Sequence, residues 1–296
     1  MAEPRIIIDI IVRLRDLVGA GSKSDRLLAS MVLSDLDFSS KASISDIATR
    51  VGVSEPTVTR FCRNLGCEGV RDFKFWIAQA MAIGGQYLSA QPVNNENDDQ
   101  RLIEAISDPA IAAIRALSST LVMPVINAVA QQLCGSGRIL CIGSGGTSSM
   151  LATEMQNRLF RLGLDAVAQV DGELQRMFAA VATSNTTVLA FSTSGYARSV
   201  IDAVRLARQY GAQTVAITAP GSPLSEVASV VIHYLPVEDG NIYKPTPSRF
   251  ALLAIVDILA TAVAESRGSE VLENLRRIKQ SLNMLKREDP RLPLGD

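Results

Sequence analysis

Five short apolar runs in the second part of the chain constrain its fold most strongly. Each run is rich in β-branched residues, and stretches with helical periodicity separate consecutive runs. Continuous apolar strands that alternate with helices are typical of a parallel sheet covered on both faces. We therefore predict an α/β doubly wound domain with a five-stranded parallel sheet, followed by two long helices at 246–265 and 270–286. The runs lie at residues 138–142, 165–170, 186–191, 213–218 and 230–235.

The first part of the chain shows helical periodicity only, which predicts an all-α domain of about five helices over residues 1–83. The stretch "GGQYLSAQPVNNENDDQ" then loses this periodicity and gains Gly, Pro and Asn. We interpret residues 84–100 as a linker and residues 101–296 as the second domain. The predicted helices of the first domain are 5–18, 25–36, 44–51, 55–65 and 70–83.

The composition excludes several classes of protein. Hydrophobic residues make up 47% of the chain and charged residues 20%, as in soluble α or α/β proteins. Its apolar runs stay below the ~18 residues that span a bilayer. We therefore predict a cytoplasmic protein that does not contact a membrane. The net charge of −1 argues against general adhesion to nucleic acid but allows a local basic patch.

The cysteine and histidine content argues against metal and triad chemistry. Cys62, Cys67, Cys134 and Cys141 form no CxxC pair, and the chain has one histidine. A Ser-His-Asp relay or a histidine-rich metal site would have to be built around His233 alone. Because His233 lies in an apolar run, we interpret it as a strand residue. No metal, cofactor or disulfide framework is predicted.

Residues 43–66, "SISDIATRVGVSEPTVTRFCRNLG", have the pattern of a helix-turn-helix. Ser43 and Asp46 suit a capped helix start, and Gly52 permits a sharp turn. Ser54 then suits the N-cap of a second helix, with Pro56 tolerated in its first turn. A capped pair of helices without a DNA-binding role is the alternative, but the spacing favours a DNA reader.

The second of these helices is predicted to have one buried and one exposed face. Val58, Phe61 and Leu65 form the inner stripe. Thr and Arg side chains on the outer face can contact base edges and phosphates. The predicted DNA-binding residues are Ser54, Glu55, Thr57, Thr59, Arg60 and Arg63, with Asn64 also exposed. Arg71 and Lys74 on the next helix could hold phosphates or be solvated.

Two loops rich in hydroxyl groups follow predicted strands and open helices. They are "GSGGTSSM" at 143–150 and "STSGYARS" at 192–199. In a parallel sheet both emerge at the carboxyl edge, where N–H groups at helix N-termini favour an anion. No His or Lys lies in either loop to activate a nucleophile, so we interpret them as a phosphate cradle. The predicted effector-binding residues are Ser144, Gly145, Thr147, Ser148, Ser192, Thr193, Ser194 and Gly195.

Other roles stay open for some of these residues. Ser148 or Ser149 could be plain helix caps. The GSGG loop with Asp171 could form a dinucleotide site, although the full GxGxxG pattern is missing. Glu154 or Glu173 could act as a base, which would make the protein a sugar-phosphate isomerase or lyase. A helical domain that binds protein instead of DNA is a third possibility.

The stretch "VSEPTVTRFCRNLGCEGVRDFK" resembles the helix-turn-helix of the RpiR family of bacterial transcription regulators, and within it the HexR-type regulators of glucose catabolism. The resemblance covers nearly the whole chain. It implies that Thr57, Thr59, Arg60 and Arg63 face DNA and that a C-terminal SIS (sugar isomerase) domain follows. Ser192, Ser194 and Gly195 resemble the S-x-S-G motif with which such domains grip a sugar phosphate.

The resemblance also implies a function. The expected protein is a non-enzymatic repressor of sugar catabolism genes that binds double-stranded DNA as a homodimer or homotetramer. Its expected effector is a phosphorylated sugar or sugar acid such as 2-keto-3-deoxy-6-phosphogluconate. Many members carry Thr where this chain has Ala197, and Arg198 or Ser199 could compensate. Lys244 and Arg249 lie in a region that resembles a lid near a subunit boundary of SIS proteins, and simple solvation of the two charges is the alternative.

Overall fold

The computed structural model describes residues 9–88, 99–235 and 245–285, and the chain divides into two compact units, Met1–Glu96 and Asn97–Asp296. The described part of the first unit contains six helices, one more than predicted. The predicted helix 25–36 ends early because the Asp35 carboxylate accepts a hydrogen bond from the Phe38 N–H at 3.0 Å and starts a new helix. The helices are α1 (Ile10–Ala20), α2 (Lys23–Ser34), α3 (Leu36–Lys41), α4 (Ile44–Val51), α5 (Glu55–Asn64) and α6 (Val70–Leu88).

The first unit packs around aromatic side chains from α5 and α6. Phe61 and Phe73 are each 1% exposed, and their rings meet edge to face at a centroid distance of 6.1 Å. Arg13 on α1 reaches across the unit and donates from Nη1 to the Leu65 carbonyl at 2.6 Å. This bond satisfies a carbonyl at the C-terminal end of α5 and ties that end to α1.

The second unit alternates helices and strands as the sequence predicts. All five predicted strands are present, and the two long helices after them start within two residues of the expected positions. The helices are α7 (Asp99–Thr120), α8 (Met123–Cys134), α9 (Gly146–Arg161), α10 (Gly172–Ala180), α11 (Arg198–Gln209), α12 (Pro223–Val227), α13 (Ser248–Arg267) and α14 (Ser269–Leu285). The strands are β1 (Arg138–Gly143), β2 (Ala166–Gln169), β3 (Thr186–Ser192), β4 (Gln213–Thr218) and β5 (Val230–His233).

The five strands form one parallel sheet in the order β2-β1-β3-β4-β5, which confirms the predicted doubly wound fold. Side chains alternate along β1, so that Ile139 and Cys141 pack with α8, α9 and α13 while Leu140 and Ile142 pack with α11. The chain therefore leaves β1 towards one face and β3 towards the other. Such a point of divergence between neighbouring strands is where doubly wound folds form a ligand crevice.

The predicted linker 84–100 overlaps two helices in the structure. Residues 84–88 belong to α6, and residues 99 and 100 begin α7. Residues 5–8 of the first predicted helix, residue 286 of the last and residues 89–98 of the linker lie outside the described residues. Within the described parts, none of the helices combines the length and the apolar character needed to span a bilayer. The segments Leu102–Thr120 and Met123–Cys134 reach that length and hydropathy only together, and they are bent by 89° at the break between them.

Candidate functional site

The helix-turn-helix begins with a complete capping box. The Ser43 hydroxyl accepts from the Asp46 N–H at 3.1 Å, and the Asp46 carboxylate accepts from the Ser43 N–H at 3.0 Å. The Ser43 hydroxyl also donates to the Asp46 carboxylate at 2.7 Å, and this bond, together with the one from the Ser43 N–H, holds the pKa of Asp46 below its usual range. Gly52 ends α4 with φ of 72°, in the left-handed region that a glycine adopts without strain. The predicted turn therefore forms as expected.

The start of α5 differs from the prediction in one respect. Ser54 occupies the N-cap position, but its side chain makes no capping hydrogen bond to the backbone. Its hydroxyl instead pairs with the Thr57 hydroxyl at 2.9 Å. The predicted side-chain cap is wrong because the Thr57 hydroxyl takes the place of the backbone N–H as the partner. Two hydroxyl groups that share one hydrogen bond, in which either can be the donor, therefore lie at the N-terminal end of α5.

The two faces of α5 are separated as predicted. Val58, Phe61 and Leu65 are at most 1% exposed and lie in the core. Thr57 and Thr59 are half-buried, and the Thr59 hydroxyl donates to the Glu55 carbonyl at 3.2 Å. The exposed face of this region carries Ser54, Glu55, Arg60, Arg63 and Asn64.

The next helix, α6, carries two basic side chains, Arg71 and Lys74. Arg71 is exposed. Lys74 donates from Nζ to the Lys41 carbonyl at 3.0 Å, at the C-terminal end of α3, where a cation is favourable. Lys74 is therefore already used within the unit, and Arg71 is the better placed of the two to meet a phosphate.

In the second unit, the two hydroxyl-rich loops border one cleft of about 670 Å³ at the carboxyl ends of β1 and β3. Six of the eight predicted effector-binding residues line it, and they come from both loops. Gly145 and Gly195 are not among the lining residues. Sequence reasoning missed Gly146, Tyr196 and Ala197. The lining residues are Ser144, Gly146, Thr147, Ser148, Ser192, Thr193, Ser194, Tyr196 and Ala197.

The two helices that start at this cleft lack side-chain caps. Gly145 is the N-cap of α9 and Ala197 the N-cap of α11, and neither makes a side-chain capping bond. In contrast, α10 is capped by the Asp171 carboxylate and α12 by the Ser222 hydroxyl. The open ends of α9 and α11 leave first-turn N–H groups available at the positive end of each helix dipole. Ala197 stands where the resemblance leads us to expect Thr, and it has no hydroxyl that could cap α11. The first N–H groups of α11 therefore stay available to an anion.

Local hydrogen bonds shape the second loop. Ser192 is 4% exposed, and its Oγ accepts from the Gly195 N–H at 3.1 Å. The Ser194 Oγ accepts from the Tyr196 N–H at 3.3 Å. Both hydroxyl oxygens act as acceptors here, so their hydrogens can be donated to a ligand. The loop is therefore arranged to present hydroxyl donors to the cleft.

Close packing fixes the glycine in each loop. Gly195 has φ of 78°, and a Cβ there would overlap Ser222 and lie 2.7 Å from Thr218 Oγ1. A Cβ on Gly143 would overlap the Ser148 carbonyl. The Ser149 hydroxyl donates to the Gly143 carbonyl at 3.3 Å, so Ser149 braces the strand end and is not a helix cap.

The alternative catalytic and cofactor residues lie elsewhere. Glu154 forms an ion pair with Arg158 at 2.7 Å. The Asp171 carboxylate accepts from the N–H groups of Glu173 and Leu174, as a helix cap does. His233 is an exposed residue at the end of β5. Neither these residues nor the exposed Glu173 line the cleft.

The remaining candidates are placed as follows. Arg198 is exposed and Ser199 half-buried against Gly172, and neither lines the cleft. The guanidinium of Arg249 lies 4.7 Å from the Phe250 ring centre. Lys244 lies outside the described residues.

Burial raises the pKa of Cys62 and of Cys141 to about 12, which keeps these two thiols neutral at physiological pH.

Comparison with protein families matches both units. Residues 10–84 match the model described as "Helix-turn-helix domain, rpiR family". Residues 132–262 match the SIS domain model. The first match contains α4 and α5, and the second contains both loops of the cleft.

Relatives and solved structures agree with these matches. The chain is 32% identical to the HTH-type transcriptional regulator HexR of Escherichia coli strain K12 over 93% of this chain and 94% of that protein. It is 33% identical to HexR of Pseudomonas aeruginosa over 88% and 91% of the two chains. The structure titled "The Vibrio vulnificus NanR protein complexed with ManNAc-6P" matches with a TM-score of 0.60 and 24% identity, covering 95% of this chain and 100% of that one. The chain therefore belongs to the RpiR family of helix-turn-helix transcription regulators that carry a SIS domain.

Proposed function

We propose that the protein is a sequence-specific DNA-binding repressor of sugar catabolism genes, and that a phosphorylated sugar or sugar acid bound in the SIS domain controls it. The observation that carries this proposal is the cleft at the ends of β1 and β3. It combines the uncapped starts of α9 and α11 with hydroxyl groups from both loops. Such a set of neutral donors and helix dipoles suits a phosphate group.

The relatives support the choice of ligand class. HexR regulators are among the relatives described above, and the NanR structure is of a complex with ManNAc-6P, a phosphorylated sugar. We propose 2-keto-3-deoxy-6-phosphogluconate as the effector. We place the protein in the cytoplasm, where it would meet both its DNA and a phosphorylated metabolite.

An isomerase or lyase activity fits the described residues less well. Proton abstraction from a sugar requires a base within hydrogen-bond reach of the substrate. The described residues that line the cleft include no carboxylate, histidine or lysine. Of the two candidate bases, Glu154 is paired with Arg158 and Glu173 does not line the cleft. Binding without turnover is therefore the better account of this cleft.

We expect Ser192→Ala to weaken effector binding by about 10- to 100-fold, because it removes a hydroxyl donor to a charged ligand and the acceptor of the Gly195 N–H. Calorimetric titration with 2-keto-3-deoxy-6-phosphogluconate measures the change. Ser136→Ala is the control: Ser136 is half-buried, and its hydroxyl shares a hydrogen bond of 2.7 Å with the Thr187 hydroxyl, near the opposite end of β3. Equal affinity in wild type and Ser192→Ala would reject Ser192 as a ligand contact.

The DNA-binding half of the proposal has its own test. Arg60 lies on the exposed face of α5, and we expect Arg60→Ala to weaken operator binding by about 10- to 100-fold through loss of base or phosphate contacts. Fluorescence anisotropy on a duplex selected with the wild type measures it. Arg15→Ala removes the same charge from the exposed face of α1 and should have little effect. Full affinity in Arg60→Ala would remove this residue from the DNA-reading face.

A single helix-turn-helix contacts few base pairs, so we propose that two copies bind adjacent half-sites as a homodimer or within a homotetramer. Binding should also weaken steeply as salt rises, because phosphate contacts release counterions. A DNA affinity that did not depend on salt would favour a helical unit that binds protein instead.

A further inference from the structure

Gln175 is a fully buried polar side chain that joins two strand ends beneath the cleft. It lies on α10 and is 0% exposed. Its Nε2 donates to the Gly143 carbonyl at 2.9 Å and to the Gln169 carbonyl at 3.1 Å. Gly143 is the last residue of β1 and Gln169 the last residue of β2. One amide group therefore connects the carboxyl ends of two neighbouring strands.

Only one end of this amide group has hydrogen-bond partners among the described residues. Its Oε1 is buried and has no hydrogen-bond partner among the residues that the structure describes. A buried acceptor without a partner is destabilising, so the Oε1 does not itself stabilise the fold. The value of the amide must therefore lie in the two hydrogen bonds that its NH₂ group donates.

Those two hydrogen bonds act where β1 ends and the first loop begins. The pairing of β1 with β2 ends at Ile142 and Gln169, so Gly143 has no partner residue in β2. The next residue, Ser144, lines the cleft, and Gly145 is the N-cap of α9. The direction in which Gly143 leaves the sheet therefore sets where the first N–H groups of α9 point.

Helix α10 also packs closely against α11, the helix that follows the second loop. Gly172, the first residue of α10, lies so close to α11 that an added Cβ would be 3.0 Å from the Ser199 Cβ. Thus α10 is fixed to the exit of β1 through Gln175 and to the first turn of α11 through Gly172. It spans the two parts of the structure that border the cleft.

We propose that Gln175 is a positioning residue for the anion site: it holds the loop after β1 so that the open end of α9 faces the same ligand as the open end of α11. This inference rests on the proposed function, because it assigns Gln175 a role in effector binding. It requires no contact between Gln175 and the ligand. It predicts that loss of the two donated bonds loosens the first loop and lowers effector affinity.

The test compares two glutamine-to-methionine variants of the full chain. Gln175→Met keeps the length of the side chain but removes both donors. Gln156→Met is the control, because Gln156 on α9 also bonds to the backbone of β2, accepting from the Ala168 N–H at 2.5 Å, away from the loop after β1. We expect faster amide hydrogen exchange at residues 144–148 and about tenfold weaker binding of 2-keto-3-deoxy-6-phosphogluconate for Gln175→Met alone.

A pH profile separates positioning from general destabilisation. In Gln175→Glu, an ionised carboxylate cannot donate, whereas a protonated one can donate one bond. Burial among carbonyl oxygens should raise the pKa of that carboxyl group. The affinity of Gln175→Glu relative to wild type should therefore improve as the pH is lowered from about 8 to about 6. Measuring the wild type at each pH corrects for ionisation of the ligand's own phosphate.

The outcomes distinguish this inference from the proposed function. Wild-type affinity and unchanged exchange in Gln175→Met would overturn the positioning role and leave the proposed function standing. If Gln175→Met does not fold, the pH profile of Gln175→Glu decides, and a flat profile overturns the role. If the wild type binds neither 2-keto-3-deoxy-6-phosphogluconate nor any of a set of hexose phosphates, the proposed function fails and this inference fails with it.

Discussion

Gly195→Ala is expected to abolish measurable effector binding and to destabilise the SIS domain by on the order of 3 kcal/mol. Two physical costs add at this position. The residue has φ of 78°, where a side chain costs about 1–2 kcal/mol. Its new Cβ would also overlap Ser222 and press on Thr218. Relief of that overlap must shift the loop that carries Ser192 and Ser194 relative to Ser222.

Substitution of a second glycine, Gly211, separates the overlap of a new Cβ with its neighbours from the backbone cost of a positive φ. Gly211 also has a positive φ, of 87°, but a Cβ there would meet nothing nearer than 3.9 Å. It lies between α11 and β4, far along the chain from either loop. Gly211→Ala should therefore lower the melting temperature modestly and keep effector affinity. Calorimetric binding by Gly195→Ala with wild-type affinity would show that the second loop does not hold the ligand.

Phe61→Ala is expected to cost the helix-turn-helix unit about 3–5 kcal/mol, which is most of the stability of a small domain. Phe61 is 1% exposed, and its ring packs edge to face on Phe73. Loss of the ring leaves a cavity between α5 and α6, so α5 should no longer hold a fixed orientation. Chemical unfolding followed by circular dichroism measures the loss, and operator binding should disappear with it.

Phe75→Ala provides the comparison for Phe61, because it removes the same side chain from the same unit. Phe75 lies on α6 and is 49% exposed, so its removal should cost much less. DNA binding should survive in this variant. If the two variants were equally stable, Phe61 would not have the buried role that the structure gives it.

The sequence predicts the fold well because its strongest signals are local. Apolar runs of strand length between helical stretches give all five strands, and the cap at Ser43 with the turn at Gly52 gives the helix-turn-helix. The sequence pattern does not separate α3 from α2, because the apolar periodicity continues through Asp35 and only the hydrogen bond from the Phe38 N–H to the Asp35 carboxylate starts a new helix. The Ser54 cap was wrong because a neighbouring hydroxyl competes for the side chain.

The candidate site was only partly predictable, because much of it depends on packing between distant segments. The two loops could be read from hydroxyl and glycine content, and the parallel sheet brings them together. The role of Gln175 needs the register of β1 with β2, and the constraint on Gly195 needs the position of Ser222. Tyr196 is 69% exposed and lines the cleft. It lies within the hydroxyl-rich loop at 192–199, so the sequence alone is sufficient to propose it as a cleft residue.

The central claim is that a phosphorylated ligand in the SIS cleft changes the affinity of the helix-turn-helix unit for DNA. For this, the ligand must bind the DNA-competent and DNA-incompetent states with different affinity. The most direct measurement is the dissociation constant for a selected operator duplex, determined with and without saturating 2-keto-3-deoxy-6-phosphogluconate. Our account predicts that the ligand weakens DNA binding by about 5- to 150-fold in the wild type and not in Ser192→Ala. Calorimetrically verified ligand binding with an unchanged DNA dissociation constant would contradict it.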